Sequence, residues 1–207
     1  MNGQLLKTQV FYLLILFLIF VLADFALSQA AKTSAAQAPA SACNGGTCRI
    51  FITSTDLNSN LGGLTGADKI CQTRATSASL PGTYKAWLSD STDSPSTRFT
   101  RSTQAYVRVD GMVVANNWTG LTSGSIQNVL LDEKGSPATD ALAWTNTTIV
   151  GTPGGPGGSN KNCSDWTSNK AGPFANNGSP GLIRDKRWTD NSATACEDMA
   201  RLICVQQ

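Results

Sequence analysis

The sequence predicts an α+β or mostly-β domain built from short strands, one early helix and long turns, stapled by disulfides and preceded by an export segment. Three observations predict it. β-branched and aromatic residues fall in short runs bounded by Gly, Pro, Asn and Ser. A single stretch repeats apolar residues at helical spacing. Six cysteines follow an apolar N-terminal run, and none lies inside it.

Taken in order, Val10 to Ala23 is an unbroken apolar run with Lys7 before it and small residues at Ala26, Ser28 and Ala30 after it. It falls short of the roughly 20 residues that span a bilayer comfortably, and it has the layout of a secretory signal. We assign residues 1–28 to the signal, with cleavage after Ser28 or Ala30, and expect no stable membrane span once it is removed. Residues 29–42 are Ala, Ser, Gln and Pro with one Lys, one Thr and no large apolar side chain, a composition that reads as a flexible tether. The folded domain is expected over residues 43–207.

Arg49-Ile-Phe-Ile-Thr-Ser54 predicts the first strand. Leu64, Ala67, Ile70, Cys71 and Ala75 share one face of a helix, with Thr65 as its N-cap and Asp68 in its first turn. Tyr84 to Leu88 alternates in strand fashion after Pro81-Gly82. Tyr106 to Ala115 predicts a hairpin tipped by Asp110-Gly111, the dipeptide that type I′ turns favour. Short apolar runs recur at Asn128–Leu131 and Leu142–Trp144, and Arg201–Val205 predicts a buried closing strand. The Gly- and Pro-rich stretch from Thr152 to Asn162 is a loop. It lacks the Gly-Lys-Ser/Thr and the strand–helix context of a phosphate loop.

Composition excludes several functions. The chain has no histidine, which removes Ser–His–Asp and Cys–His triads, a His general base and His-ligated zinc. A net charge of +2 is too small for a nucleic-acid-binding stripe. The adjacent carboxylates Asp132-Glu133 and Glu197-Asp198 make poor acid/base pairs, because strand neighbours point to opposite faces. Asp90 and Asp93 read as solvated loop residues, so no enzyme is expected.

Cys43, Cys48, Cys71, Cys163, Cys196 and Cys204 are even in number, follow an export signal and include no Cys-x-x-Cys, so disulfides are expected. Cys43 to Cys48 is a short turn whose ends can meet. A nested arrangement of the other four is one of several pairings that spacing leaves open.

Five blocks then occur in register: Arg49-Ile-Phe-Ile-Thr-Ser-Thr55, Gly62-Gly-Leu-Thr-Gly-Ala-Asp-Lys-Ile-Cys71, Leu80-Pro-Gly-Thr-Tyr-Lys-Ala-Trp-Leu-Ser89, Cys163-Ser-Asp-Trp-Thr-Ser168 and Arg201-Leu-Ile-Cys-Val-Gln-Gln207. Together they resemble the bacterial endostatin-like family, best known from leptospiral surface proteins, and the endostatin domain of collagens XV and XVIII. The resemblance implies a C-type-lectin-like fold, a mixed twisted sheet with one or two helices and long disulfide-stapled loops. It also implies the pairs Cys71–Cys204 and Cys163–Cys196. The function it implies is a non-enzymatic secreted or surface binding module for extracellular matrix or host proteins, or glycans.

Endostatin's zinc ligands include histidines, so that site is not implied here. Its arginine cluster is represented only by Arg184, Lys186 and Arg187, diluted by Asp185 and Asp190. Trp188-Thr-Asp190-Asn191 matches half of the calcium signature of sugar-binding lectins. No cofactor is expected, and calcium is the one cation the residues admit. The alternative function is therefore a calcium-dependent carbohydrate-binding lectin using Asp190, Asn191 and Asp165. Trp118, Asp165, Arg187 and Asp190 are the expected ligand-binding residues. Trp118 is expected to be exposed, with Trp87, Trp144, Trp166 and Trp188 in the core. The loops 116–124 and 151–162 are expected to project. Asn117, Asn146 and Asn162 open Asn-x-Ser/Thr triplets, which are glycosylation acceptors in a eukaryotic host.

Overall fold

The structure is a computed structural model that describes residues 42–155, 158 and 161–207. The expected signal over residues 1–28 and all but the last residue of the expected tether lie outside the described residues. That last residue, Ala42, is 3 % exposed and packs in the core, so the folded part takes in one residue more than the sequence suggests.

The architecture is mixed α+β with a mostly sheet core. Its strands are β1 (Cys48–Ile52), β2 (Leu57–Asn58), β3 (Tyr84–Ala86), β4 (Tyr106–Val107), β5 (Val113–Ala115), β6 (Ala143–Trp144), β7 (Phe174–Gly178), β8 (Ser192–Ala195) and β9 (Met199–Gln206). The closing strand is the hub. The C-terminal half of β9 pairs antiparallel with β1 (Phe51 opposite Cys204) and with β3 (Ala86 opposite Cys204). Its N-terminal half pairs antiparallel with β2 and parallel with β6 (Trp144 opposite Leu202). The long path through the sheet runs β5-β4-β1-β9-β6-β7-β8.

Two-residue periodicity sends alternate side chains of β1 and β9 to opposite faces, and each face is covered. Ile50, Ile52, Ile203 and Val205 face a cluster with Trp87, Tyr106, Leu130 and Trp188. Phe51, Leu202 and Cys204 face the other way, onto Ala67, Cys71 and Ala75 of the main helix, α1 (Gly63–Ser77), and onto Trp144 and Trp166. Burial on both sides explains why this strand reads as a continuous apolar run. Of the expected helix face, Ala67, Cys71 and Ala75 are buried, and Leu64 and Ile70 are half-buried at its edge.

The cap of α1 differs from expectation. Gly62, at φ 78°, is the N-cap, and Thr65 is the third residue of the helix. Gly62 N–H and Leu61 N–H both donate to the Trp166 carbonyl, so a neighbouring loop fixes the start where a side-chain cap would otherwise do so. Asp68 lies beyond the first turn and leaves the helix dipole alone. It accepts from Ala86 N–H at 2.8 Å and from both terminal nitrogens of Arg98, joining α1 to β3 and to the short helix α2 (Pro95–Arg98).

The expected hairpin forms between β4 and β5, but its tip is wider than a type I′ turn. Gly111 N–H donates to Arg108 O and Arg108 N–H to Met112 O, so Val109 and Asp110 are the turn's central residues, neither at positive φ, and Gly111 follows them at φ 88°. A type I′ turn needs positive φ at both positions, which Asp110 does not adopt. Its carboxylate instead pairs with Arg108, which holds its pKa below the usual range.

Candidate functional site

Three disulfides are present, Cys43–Cys48, Cys71–Cys204 and Cys163–Cys196. The second ties α1 to β9. The third ties the loop after residue 162 to the turn between β8 and β9. Three disulfides suit an oxidising compartment. Among the described residues, no helix is long and apolar enough to cross a membrane.

Cys163, Ser164, Asp165 and Trp166 all have φ between 51° and 62°, a left-handed turn without a glycine. Side-chain contact with the following carbonyl makes this conformation cost roughly 1–2 kcal/mol per residue. Several bonds hold it. The disulfide anchors Cys163, Trp166 N–H reaches Asn162 O at 2.8 Å, and Asp165 N–H reaches Asn162 Oδ1. The Asp165 carboxylate accepts from Ser91 N–H, Ser91 Oγ and Asn162 Nδ2. Asp165 thus staples its loop to the 89–93 loop instead of facing outward with free oxygens.

Beneath these loops lies a buried network of neutral polar side chains. Ser89, Thr145, Asn146, Thr147 and Thr189 are all fully buried. Trp166 Nε1 donates to Ser89 O at 2.9 Å, Ser89 Oγ meets Thr147 Oγ1 at 2.8 Å, and Thr189 Oγ1 donates to Thr147 O at 3.0 Å. Trp87 Nε1 donates to Thr189 Oγ1 at 2.8 Å, and Asn176 Nδ2 donates to Asn146 Oδ1 at 2.8 Å. Hydroxyls that both donate and accept let this cluster satisfy itself without charge. It joins the two faces of the sheet through their tryptophans.

The expected ligand residues border two different hydrophobic clusters, Trp118 and the Arg187–Asp190 segment at the one that holds Trp87, and Asp165 at the one that holds Trp166. Trp118 begins the short helix α3 (Trp118–Leu121) and is half-buried, its ring 5.8 Å from that of Trp87, with Arg101 stacked over it at 5.4 Å. It is therefore more sheltered than expected, because the loop 116–124 folds down on the buried Leu121. Trp188 reaches the same aromatic group, 5.2 Å from Trp87, whereas Trp166, beside Asp165, packs on the opposite face. The other four tryptophans are all fully buried. Arg187 is exposed but closed on its own neighbour. Asp185 accepts from its backbone N–H, Nε and Nη2, which pushes the guanidinium pKa up and the carboxylate down.

Asp190 is 8 % exposed; its Oδ2 meets Lys186 Nζ at 3.2 Å, while its buried Oδ1 and Trp188 Nε1 have no hydrogen-bond partner. The other candidate carboxylates are occupied by the chain itself. Glu133 accepts from Ser54 N–H at 2.8 Å and Ser54 Oγ at 2.6 Å, and Asp132 accepts from the backbone of Lys134 and Ser136. Asp90 Oδ1 closes a turn on Thr92 and Asp93, so it is a structural acceptor as well as a loop residue.

The second loop expected to project also lies down over its described part. Gly154 is buried, and a Cβ on Gly155 would sit 2.7 Å from Asn176 Cγ, so glycine here permits close approach. The three Asn-x-Ser/Thr asparagines are structural. Asn146 and Asn162 are buried, and Asn117 Oδ1 caps α3 by accepting from Gly120 N–H.

Two recesses lie near the start of β2, one reaching Asp56 and the other Leu57, and the sequence alone pointed to neither. On one side Asp56, Asp140, Leu142, Met199 and Arg201 line a polar cleft of about 460 Å³, crossed by the Arg201–Asp56 ion pair at 3.1 Å. On the other, Leu57, Leu61 and Ile70 line an apolar groove of about 550 Å³ along α1. The one legible trace was Ile70, which lies on the expected apolar helix face yet stays only half-buried.

No curated protein matches the chain. A protein family described as "Protein of unknown function (DUF1554)" matches residues 54–183, from the end of the first strand through the loops around Asp165 and into the turn after β7. That match covers more than half of the sequence, and the chain is a member of this family.

Proposed function

We propose that the chain has an endostatin-like, C-type-lectin-like fold and works as a non-enzymatic extracellular binding module for matrix or host proteins, or glycans, exported by residues 1–28. One observation carries the reading. The loops around Ser89, Thr147, Asp165 and Thr189 are locked to one another by a buried neutral network and a disulfide. A surface ordered in advance loses less entropy on binding, which suits recognition. The Asp90 and Asp165 carboxylates of these loops are taken up in holding the chain together.

The test is surface plasmon resonance of the purified, oxidised chain against a panel of purified matrix glycoproteins and sulfated glycans. Saturable capture of at least one panel member, lost after reduction and alkylation, supports the module. No capture at micromolar concentration, or capture that survives unfolding, counts against it.

A calcium-dependent lectin is the second reading, favoured by one atom: the buried, unpartnered Asp190 Oδ1. Asn191 lies beside it and bonds Asn177 and Ser192, whereas the bonds of Asp165 run to Ser91 and Asn162. Calcium wants six to eight oxygens, so calorimetric titration is decisive. Absent heat at millimolar calcium ends this reading.

A further inference from the structure

The helix α1 carries two stripes. Ala67, Cys71 and Ala75, spaced by four, are fully buried against the sheet. A second stripe of Gly66, Ile70 and Arg74, with Lys69 and Thr73 beside it, follows the same spacing around the helix and lines the apolar groove. The opposite wall is Leu57 and Leu61. Leu57 O accepts from Trp144 Nε1 at 2.9 Å, which fixes that wall to the core. Gly66 lets helix and wall approach, since a Cβ there would lie 2.0 Å from Leu61 O. The groove is therefore part of the fold, and its volume falls in the roughly 300–1,000 Å³ range of ligand sites.

Its charges are one-sided. The exposed Lys69 and the half-buried Arg74 are its charged lining residues, and none of the lining residues is acidic. Lys69 makes no ion pair among the described residues, and Arg74 donates to the Thr55 hydroxyl, not to a carboxylate. Asp68, next to Lys69 in sequence, is committed to Arg98 and Ala86 N–H. An apolar strip bracketed by two cations with no carboxylate complements one chemistry.

We propose that this groove docks a peptide segment whose apolar side chains are flanked by Asp or Glu. The apolar side chains displace water from Leu57 and Ile70, and the flanking carboxylates meet Lys69 and Arg74. The proposal rests on the reading of the chain as a binding module and gives that module a place and a ligand class.

The probe is a fluorescein-labelled peptide, acetyl-(Asp-Leu-Leu-Glu)₃-amide, titrated with the oxidised chain and followed by anisotropy; its Lys-for-acid counterpart is the control. Saturable binding of the acidic peptide is expected, weakened about fivefold by Lys69→Glu, as expected for reversing one exposed charge. It should also weaken with rising salt. Thr73→Trp, an exposed substitution that fills the groove, should abolish it. Equal binding of the Lys peptide, indifference to Thr73→Trp, or no binding at all overturns the proposal. So does sedimentation showing a dimer that Thr73→Trp dissociates, because a second copy then occupies the groove. If the matrix panel is captured while the peptide is not, the groove proposal fails and the module stands. If neither binds, both fail.

Discussion

Removing the disulfides one at a time tests whether the nested loops carry the stability their lengths imply. Cys71–Cys204 spans 133 residues and Cys163–Cys196 spans 33, inside it. Because the inner bond is a shortcut, the outer bond closes an effective path of about 92 residues from Cys71 to Cys163 plus about 8 from Cys196 to Cys204. In the chain-entropy relation a loop of about 100 residues contributes about 4.7 kcal/mol, one of 33 about 3.7, and the five-residue Cys43–Cys48 loop about 2. One further effect separates the larger pair, because their void terms are alike. Both lie in the core, so Cys→Ala at either leaves similar small voids. Only the inner bond holds the left-handed turn, and cutting it lets Cys163 to Trp166 relax, which returns part of the roughly 1–2 kcal/mol per residue stored there. The variants Cys71→Ala/Cys204→Ala, Cys163→Ala/Cys196→Ala and Cys43→Ala/Cys48→Ala should therefore lose stability in that order. The outer loss should exceed the inner by more than the 1 kcal/mol of the loop lengths alone. Urea unfolding followed by tryptophan fluorescence measures it, with the m-value expected to rise as the unfolded chain expands. An inner loss equal to the outer one would refute both the nesting argument and the strain in the turn.

Three other outcomes follow from single residues. Gly178→Ala places a Cβ 2.4 Å from Trp188 O and 2.6 Å from Thr189 Cα, both backbone, and should cost about 2–3 kcal/mol in urea unfolding; Gly135→Ala, open but at φ 93°, should cost about 1. Burial pushes the Tyr84 hydroxyl up to about 12, and that hydroxyl has no hydrogen-bond partner. Its folded pKa lies above the unfolded value, so its contribution is complete below pH 10 and disappears as pH rises toward 12; absorbance at 295 nm should show this late ionisation, and Tyr84→Phe should remove it while leaving neutral-pH stability unchanged or higher. Among single-tryptophan variants, iodide should quench Trp118 alone to a measurable degree, and ready quenching of Trp166 would contradict its burial.

What the sequence disclosed and what it hid divide along physical lines. Apolar periodicity is a signal about burial, and it located β1, the inward face of α1 and the hub strand β9. It was blind to β7 and β8. Phe174-Ala-Asn-Asn-Gly178 and Ser192-Ala-Thr-Ala195 contain the residues of turns and surfaces, yet Asn176 and Asn177 are buried in a four-residue antiparallel register. Those asparagines are inside because the interior there is itself polar, made of Thr145, Asn146, Thr147 and Thr189, and no hydropathy pattern reveals a polar core that satisfies its own hydrogen bonds. For the same reason the loops were expected to project: Asn, Thr and Gly read as solvated, but here the glycines permit contact and the hydroxyls make it.

The expected site residues rested on a weaker signal. Trp118, Asp165, Arg187 and Asp190 were chosen by residue type, and type does not say whether a group's bonding capacity is already used. Asp165 is consumed by Ser91, 74 residues away on the 89–93 loop, and Arg187 by Asp185 two residues before it. Local preference is overruled most where covalent links act, as in the left-handed run at Cys163 and again at Cys43 and Asn44, with φ 53° and 54°. Both runs contain a disulfide cysteine, so a cross-link is present where the backbone is least comfortable. Unused capacity lies at the buried Asp190 Oδ1 and on the outer stripe of α1, where Lys69 has no ion-pair partner among the described residues and Ile70 no complete cover. A fold that spends most of its loop carboxylates and hydroxyls on ordering its own loops, while leaving that stripe open, offers the helix as a second surface beside those loops.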